Sequence, residues 1–147
     1  MPSPTVKDVM NPKVVVAKPQ ATVKEAAEIM SMFRIGCLIV VEDEKVVGIV
    51  TESDIIGKIV AKKKDPDRVV LEEIMSKNVI FTSPNESIDE AAEKMVANKI
   101  KRLPVLEDGK IVGIITATDL ISYEPKIIET LSELFSIKTQ IGRTIAG

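Results

Sequence analysis

The sequence has no histidine, no tryptophan and only one cysteine, Cys37, among its 147 residues. Histidine is the commonest general base and metal ligand in proteins, so its absence weakens the case for several classes of enzyme. A single thiol can form neither an intrachain disulfide nor a zinc site built from thiolates, and such cysteine usage is typical of a reducing compartment. We therefore expect a cytoplasmic protein that has no metal site.

Long apolar runs are also missing from the sequence. Residues 37–41 form one of the longest, which is far short of the roughly 20 residues that a membrane-spanning helix needs. Residues 1–5 have neither the basic start nor the apolar centre of a secretory signal. The net charge is only -2, whereas nucleic-acid-binding proteins usually carry a basic excess. We expect neither a membrane partner nor a nucleic-acid partner.

What the sequence does contain is an internal repeat. An offset of 65 positions aligns Asp54 with Asp119 and Met10 with Met75 without any gap. Further identical pairs at this offset are Pro19 with Pro84, Gly48 with Gly113, Thr51 with Thr116, and residues 25–28 with residues 90–93. Identity of this density does not arise from composition alone, so the chain is a tandem duplication.

Each copy predicts the element order β-α-β-β-α. An extended run comes first, at residues 14–16 or 79–81. A helix follows, because capping boxes at 22–25 and 87–90 precede apolar residues spaced three and four apart. Two β-rich runs, joined by tight-turn residues, then lead into a second helix. Since one such copy is marginal by itself, we expect an α/β (α+β) fold in which the two repeats pack sheet to sheet, share a core and have pseudo-two-fold symmetry.

The domain boundaries follow from these elements. Repeat 1 is predicted at residues 6–61 and repeat 2 at residues 71–123, where Pro125 cuts the second helix of repeat 2 short. The linker is residues 62–70. Residues 124–147 are predicted to form an amphipathic helix, ending near residue 137, and a tail. We expect this helix to pack on its own module, and docking on a second subunit or another protein is the alternative.

Several motifs occur twice and in the same order. They are GIVTESD at residues 48–54 and GIITATD at 113–119, with KIKRLPV at 99–105 and a Val-Met or Ile-Met pair at 9–10 and 74–75. This pattern resembles the CBS domain, and two copies in tandem resemble a Bateman module. The resemblance covers roughly residues 6–123, which is most of the chain.

A Thr-x-x-Asp sequence ends each second β-rich run, at residues 51–54 and 116–119. The start of a helix attracts anions, and a carboxylate three residues on can accept both hydroxyls of a ribose. The same sequence is also a good helix cap, with threonine as the N-cap and aspartate in the first turn. The residues alone leave both roles open, and the two roles are compatible.

The resemblance implies the residues that would bind a ligand. Its polar contacts would come from Thr51, Ser53, Asp54, Thr116, Thr118 and Asp119, with each aspartate on a ribose. The adenine would lie against the first strand and the turn after the first helix, where the candidates are Val15, Val16, Ile35, Gly36 and Cys37 in repeat 1 and Ile80, Ile100, Lys101 and Arg102 in repeat 2. The resemblance also implies that the base contacts come from one repeat and the ribose aspartate from the other.

The two repeats differ in the positive charge that they offer to a phosphate. Arg102 can hold a phosphate through two parallel hydrogen bonds, and Lys101 adds a point charge. Repeat 1 has Cys37 and Gly36 at the equivalent positions. Further candidates near the repeat starts are Asn11, Lys13 and Ser76. We expect two unequal clefts, with a phosphorylated ligand favouring the one that Arg102 reaches, and we assign Asp119 to that cleft.

These features together predict a non-catalytic regulatory module. It would bind an adenosyl ligand between its repeats, namely AMP, ADP or ATP, or else S-adenosylmethionine or NAD, and it would require no cofactor. We expect a homodimer, with an unidentified protein target as a further partner. One alternative is an assembly scaffold whose clefts stay empty. Another is a fragment related to IMP dehydrogenase, although the chain has no room for the barrel of that enzyme.

Overall fold

The structure is a computed structural model, and it describes residues 3–135. Its strands are β1 (Val16–Ala17), β2 (Cys37–Glu42), β3 (Lys45–Thr51), β4 (Arg102–Glu107) and β5 (Lys110–Thr116). Its α-helices are α1 (Val6–Val9), α2 (Val23–Phe33), α3 (Glu52–Ile55), α4 (Leu71–Ile74), α5 (Ile88–Asn98), α6 (Ala117–Tyr123) and α7 (Ile128–Leu131). This order of small sheets and helices confirms the predicted fold class. None of the helices in the described part of the chain has the length and apolar content that crossing a bilayer would require.

Each repeat is built on an antiparallel hairpin that leads directly into a helix. β2 pairs with β3 so that Cys37 lies opposite Thr51, and β4 pairs with β5 so that Arg102 lies opposite Thr116. The tight turns occur where the sequence predicted them, with positive φ at both central residues of each turn. β3 contacts β5, so the hairpins of the two repeats pack against each other through these two strands.

The strand that opens each repeat forms only in repeat 1, where it covers Val16–Ala17 and not the predicted residues 14–16. β1 pairs with β2 in parallel, with Val16 opposite Ile39. In repeat 2 the prediction of a strand at residues 79–81 is wrong, and a single bridge at Thr82 takes its place. Pro104 stands where repeat 1 has Ile39, and it has no N–H group to donate, so the ladder cannot extend there.

The predicted helices of the two repeats are present. Thr22 and Ser87 are the N-caps of α2 and α5, and each side chain accepts the backbone N–H three residues on at 3.1 Å. α3 continues as a π-helix (Ile56–Val60) as far as its C-cap, Ala61, which matches the predicted extent. α6 ends before Pro125, as expected.

Two clusters of buried apolar side chains form the interior, and each includes a short helix from the other repeat. Val6 of α1 belongs to the cluster of repeat 2, whereas Leu71 and Ile74 of α4 belong to that of repeat 1. Backbone hydrogen bonds fasten both helices, from the N–H of Val6 to the carbonyl of Glu86 at 2.8 Å and from the N–H of Leu71 to that of Ala21 at 2.9 Å. The single shared core that we expected is therefore wrong. Each repeat instead covers its own sheet with helices and completes its core with a helix of the other.

Backbone bridges also join the two repeats. Asn11 exchanges two hydrogen bonds with Ile114 of β5, at 2.8 and 2.9 Å between nitrogen and oxygen. Ser76 makes the equivalent pair with Ile49 of β3, at 2.9 and 3.0 Å. These bridges place the segment that precedes each first strand directly against the strand that ends at the Thr-x-x-Asp sequence of the other repeat.

Two repeated glycines allow a close approach beside these bridges. A Cβ atom at Gly48 would lie 2.5 Å from the sulfur of Met75, and one at Gly113 would lie 2.6 Å from the sulfur of Met10. Side-chain carbons do not approach other atoms so closely, so only glycine admits the methionine of the other repeat. The Met and Gly pairs that recur in the sequence are therefore contact partners across the repeats.

The segment after Pro125 packs on repeat 2. It consists of a 3₁₀-helix (Pro125–Ile127), α7 and a second 3₁₀-helix (Ser132–Phe135), so the prediction of one continuous α-helix is wrong over these residues. Ile127 and Leu131 are buried in the cluster of repeat 2, as packing on the chain's own module requires. The rest of the predicted helix and tail, residues 136–147, lies outside the described residues.

Candidate functional site

Two cavities lie between the repeats, and each is lined by residues from both. Cleft I has a volume of about 470 Å³ and is lined by Ile49, Thr51, Ser53 and Asp54 from repeat 1 and by Ser76, Asn78, Val79, Ile80, Lys99, Ile100, Lys101, Arg102 and Pro104 from repeat 2. Cleft II has a volume of about 280 Å³ and is lined by Ile114, Thr116, Asp119 and Arg102 from repeat 2 and by Asn11, Lys13, Val14, Val15, Arg34, Ile35, Gly36, Cys37 and Ile39 from repeat 1. Apart from Ser53, every position that lines cleft I has its counterpart in cleft II, so the clefts are related by the pseudo-two-fold symmetry.

The lining residues show the exchange between repeats that the resemblance implied. In cleft I, Thr51 and Asp54 of repeat 1 face the opening segment and the turn after α5 of repeat 2. In cleft II, Thr116 and Asp119 of repeat 2 face the corresponding parts of repeat 1. A ligand in either cleft would therefore touch both repeats.

The Thr-x-x-Asp sequences cap helices and line the clefts at the same time. Oδ2 of Asp54 accepts the backbone N–H of Thr51 at 2.9 Å, and Oδ2 of Asp119 accepts that of Thr116 at 3.0 Å. In return, each threonine hydroxyl accepts the backbone N–H of its aspartate, at 3.3 and 3.0 Å. These bonds hold each carboxylate in a fixed position at the start of a helix, with its second oxygen left to contact other groups.

The second oxygen differs between the two aspartates. Oδ1 of Asp54 lies 3.1 Å from the ammonium of Lys58, which also donates a hydrogen bond to the carbonyl of Ile74 at 2.6 Å. Tyr123 occupies the position equivalent to Lys58 in repeat 2, and within residues 3–135 no ion pair forms at Asp119. The second oxygen of the carboxylate in cleft I is thus engaged by a cation before any ligand arrives, whereas within residues 3–135 no cation pairs with the second oxygen of Asp119.

Arg102 lies between the two clefts and lines both of them. Its Nη1 donates a hydrogen bond to the carbonyl of Gly36 at 3.1 Å, and a Cβ atom at Gly36 would lie 3.2 Å from its Nη2. Gly36 therefore leaves the space that the guanidinium group occupies. Cleft II also has Lys13, which the sequence had suggested, and Arg34, so each cleft has cationic residues of its own. Lys101 lines only cleft I, with Asp54, whereas Arg102 lines both that cleft and the cleft of Asp119, so the assignment of Asp119 to the cleft that Arg102 reaches stays a prediction.

Cys37 is a buried thiol in the wall of cleft II. Burial raises the pKa of this thiol above its usual value. The positive charge of Arg102 lowers the pKa by less than burial raises it, and the negative charge of Glu52 adds to the increase. The thiolate is the reactive form of cysteine, so the group is protonated near neutral pH and is a weak nucleophile. Cys37 can contribute apolar surface to a ligand, as we expected for it.

Two predicted site residues do not line either cleft. Val16 is 44% exposed and lines a separate shallow groove beside α2, because successive residues of a strand point to opposite faces and Val15 takes the cleft side. Thr118 is exposed in the first turn of α6, although its counterpart Ser53 reaches the larger cleft I. The other sixteen predicted site residues all line cleft I or cleft II.

Some lining residues were missing from the sequence prediction. Ile49 and Ile114 lie two residues before Thr51 and Thr116, so the two-residue period of a strand could have placed them on the cleft side. Asn78, Pro104 and Ile39 also line the clefts, together with Val14, Val79, Arg34 and Lys99. Asn78 is the counterpart of Lys13 at the 65-residue offset, and Pro104 lies two residues after Arg102 on β4, so the repeat and the strand period could have placed both in the lining.

Comparison with known proteins agrees with this architecture. Residues 6–61 and 71–126 match the family model of the CBS domain. The chain is 36% identical to the uncharacterized protein MK0525 of Methanopyrus kandleri over 90% of this chain and 69% of that protein. It is 34% identical to the CBS domain-containing protein YhcV of Bacillus subtilis over 79% of this chain and 82% of that protein.

A solved structure shows the same fold. The CBS domain pair of protein MJ0100, in complex with 5′-methylthioadenosine and S-adenosyl-L-methionine, matches with a TM-score of 0.76 and 34% sequence identity, covering 85% of this chain and 98% of that one. The fold and the two clefts define a tandem module whose repeats share both of its sites. The chain belongs to the CBS domain family, and it contains two CBS domains. The resemblance found in the sequence is thereby confirmed.

Proposed function

We propose that this protein is a non-catalytic regulatory module that binds adenosyl ligands, such as AMP, ADP, ATP, S-adenosylmethionine or NAD, in clefts I and II. One observation carries the proposal. In each cleft a capped aspartate of one repeat faces apolar residues and cations of the other. A nucleotide needs these three environments together, namely a carboxylate for the ribose diol, apolar surface for the base and positive charge for the phosphate.

Binding would act by changing how the repeats sit against each other. A ligand in cleft I contacts Asp54 in repeat 1 and the segment from Ser76 to Ile80 in repeat 2, and its interaction energy therefore bridges the two. Ser76 is itself bonded to Ile49, so a shift of the segment changes the contact between the sheets. A ligand shifts an equilibrium between two arrangements only by its difference in affinity for them, and contacts to both repeats supply that difference. Because the only cysteine is an unpaired thiol, we also propose that the module works in a reducing compartment, the cytoplasm.

The test of this function is the melting temperature with and without nucleotides. AMP or adenosine at a hundred times its dissociation constant is expected to stabilise the fold by about 2.7 kcal/mol, which corresponds to a shift of several degrees. GMP, with the same ribose and phosphate but a different base, serves as the control and should shift the melting temperature less. If adenosine, AMP, ADP, ATP, S-adenosylmethionine and NAD all leave the melting temperature unchanged and release no heat in calorimetry, the clefts do not bind adenosyl ligands and the scaffold alternative is supported.

We further propose that the module is a homodimer formed through the helical face of repeat 1. The face made by α5 and α6 in repeat 2 is covered by the segment from Pro125 to Phe135, which contacts both helices. The equivalent face of repeat 1 has no such cover among residues 3–135. Four apolar side chains of the repeat 1 helices are exposed, namely Met32, Phe33, Ile56 and Val60. An apolar surface of this kind usually marks an interaction site.

Light scattering is expected to give twice the 16.0 kDa mass of one chain. Phe33→Glu places a charge on the proposed interface and should shift the species toward the monomer. Phe81→Glu is the matched control, because Phe81 is similarly exposed but lies outside the helical faces. A single species of 16.0 kDa at all concentrations would contradict the dimer.

A further inference from the structure

We infer that Arg102 couples the two clefts, so that a phosphate bound in one cleft weakens the binding of a phosphate in the other. The inference rests on the proposed function, because it concerns the phosphate of the same ligands. Its basis is that Arg102 is the one residue that lines both cavities within residues 3–135. The guanidinium group is therefore within reach of two sites but can serve only one of them fully.

The position of Arg102 follows from the sequence difference between the repeats. It begins β4, and its counterpart at the start of β2 is Cys37, which carries no charge that could replace it. The side chain crosses to repeat 1, where Nη1 bonds to the carbonyl of Gly36 at 3.1 Å in the wall of cleft II. A larger residue at position 36 would close this path, since even a Cβ atom there would lie 3.2 Å from Nη2. Arginine in one repeat and glycine in the other thus create a single cationic group between the clefts.

Each cleft has other charges of its own. Lys99 and Lys101 line cleft I with Asp54, while Lys13 and Arg34 line cleft II with Asp119. Leaving Arg102 aside, the two clefts therefore have the same set of charges, namely two cations and one carboxylate each. Either cleft can hold a phosphate without Arg102, and either gains from it, so the two sites compete for this residue.

The geometry of arginine makes the competition strong. A guanidinium group binds a phosphate best through two parallel N–H···O bonds from one edge, which fixes the direction of the whole planar group. Turning that edge toward the ligand in one cleft removes it from the other. One charge-assisted hydrogen bond is worth enough to change affinity about tenfold, so we expect the second phosphate to bind about tenfold more weakly than it would alone.

Calorimetric titration can separate this coupling from a simple difference between the clefts. Asp54→Asn and Asp119→Asn each weaken one cleft, and the titration of each variant gives the dissociation constant of the cleft that remains intact. The unmodified chain gives two stepwise dissociation constants for AMP, one for the first bound molecule and one for the second. Their product is expected to be about ten times the product of the two single-cleft dissociation constants. For adenosine, which has no phosphate, the two products should agree.

Further variants test the role of Arg102 itself. Arg102→Met is measured in the unmodified chain, in Asp54→Asn and in Asp119→Asn, and it should make the two products of AMP dissociation constants equal. Arg102→Lys keeps the charge but loses the planar edge, so it should reduce the ratio of the two products. Lys99→Met and Arg34→Met are the matched controls. Each removes a cation that lines one cleft only, so AMP should bind that cleft more weakly while the ratio stays near tenfold.

The possible outcomes distinguish this inference from the proposed function. If AMP and adenosine both bind and the AMP products agree in the unmodified chain, Arg102 does not couple the clefts, although the nucleotide function stands. A ratio below one would mean that the guanidinium group bridges two phosphates, which also overturns the inference. If neither compound binds, the proposed function fails and the coupling fails with it. A melting curve for each Arg102 variant shows whether the titrated protein is folded. If Arg102→Met does not fold, the titration of Arg102→Lys decides the question.

Discussion

Replacing both aspartates that face the clefts, by Asp54→Asn and Asp119→Asn in one chain, is expected to abolish measurable adenosine binding. In the proposed complex each carboxylate accepts two hydrogen bonds from the ribose diol, and charge-assisted bonds of this kind contribute about 1.5–3 kcal/mol each. The loss at each cleft should therefore be at least about 100-fold. Asparagine keeps an oxygen that can accept the backbone N–H of Thr51 or Thr116, so the helix caps can persist. Titration calorimetry with adenosine measures the change.

The single variants refine this prediction. Asp119→Asn should cost more adenosine affinity at cleft II than Asp54→Asn costs at cleft I, because Lys58 already engages Asp54 and competes with the ribose. Glu52→Gln is the matched control for charge, since Glu52 lies in the first turn of α3 but does not line either cleft. Unchanged affinity in the double variant, with a normal melting temperature, would show that the aspartates are helix caps only.

Gly48→Ala and Gly113→Ala are each expected to lower the free energy of unfolding by about 1–3 kcal/mol, the usual cost of overpacking a filled interior. At Gly48 the added Cβ would meet the sulfur of Met75 at 2.5 Å and the backbone oxygen of Ser76 at 3.1 Å. A methionine side chain can turn away, but the backbone oxygen is held by the bridge to Ile49. The contact between the repeats must therefore open. Urea unfolding of the purified variants measures the effect.

Gly57→Ala is the control for these two substitutions. Gly57 lies in the π-helix, and nothing comes within 4 Å of the position that its Cβ would occupy. Alanine costs less conformational entropy than glycine in a helix, so this variant should be more stable by up to about 1 kcal/mol. Stability equal to that of the parent in Gly48→Ala and Gly113→Ala would mean that the methionines move aside freely and that the close approach is not required.

The sequence predicted the parts of the fold that depend on neighbouring residues. The caps at Thr22 and Ser87, the tight turns of both hairpins and the end of α6 before Pro125 all occur as expected, because each reflects the backbone preferences of a few adjacent residues. The repeat itself supplied the topology, since identical patterns in one chain form identical units. Pro104 shows the limit of this reasoning. One substitution between the copies removed a hydrogen-bond donor and with it a predicted strand.

Most residues that line the clefts were predicted from the sequence, but the position of Arg102 in the lining of both clefts was not. Asp54 and Asp119 were chosen from a local motif, and both line clefts. Arg102 also reaches cleft II because Gly36 of the other repeat leaves room for it. This contact could not be predicted, since contacts between distant segments leave no periodic signal in one sequence. The same holds for Lys58, whose contact with Asp54 requires the helical course beyond α3 to be known. Val16 was wrong for a simpler reason, because a strand sends neighbouring side chains to opposite sides.

The exchange of α1 and α4 between the two cores bears on how such a chain could arise. A single repeat expressed alone would have a core that lacks its short helix. Its own short helix, which begins with Val6 or Leu71, would have no core to pack on. Two such half-length chains would satisfy both needs by pairing with each other. A duplicated gene encodes both halves of such an assembly in one polypeptide, and residues 62–70 then replace a dependence on protein concentration with a covalent tether.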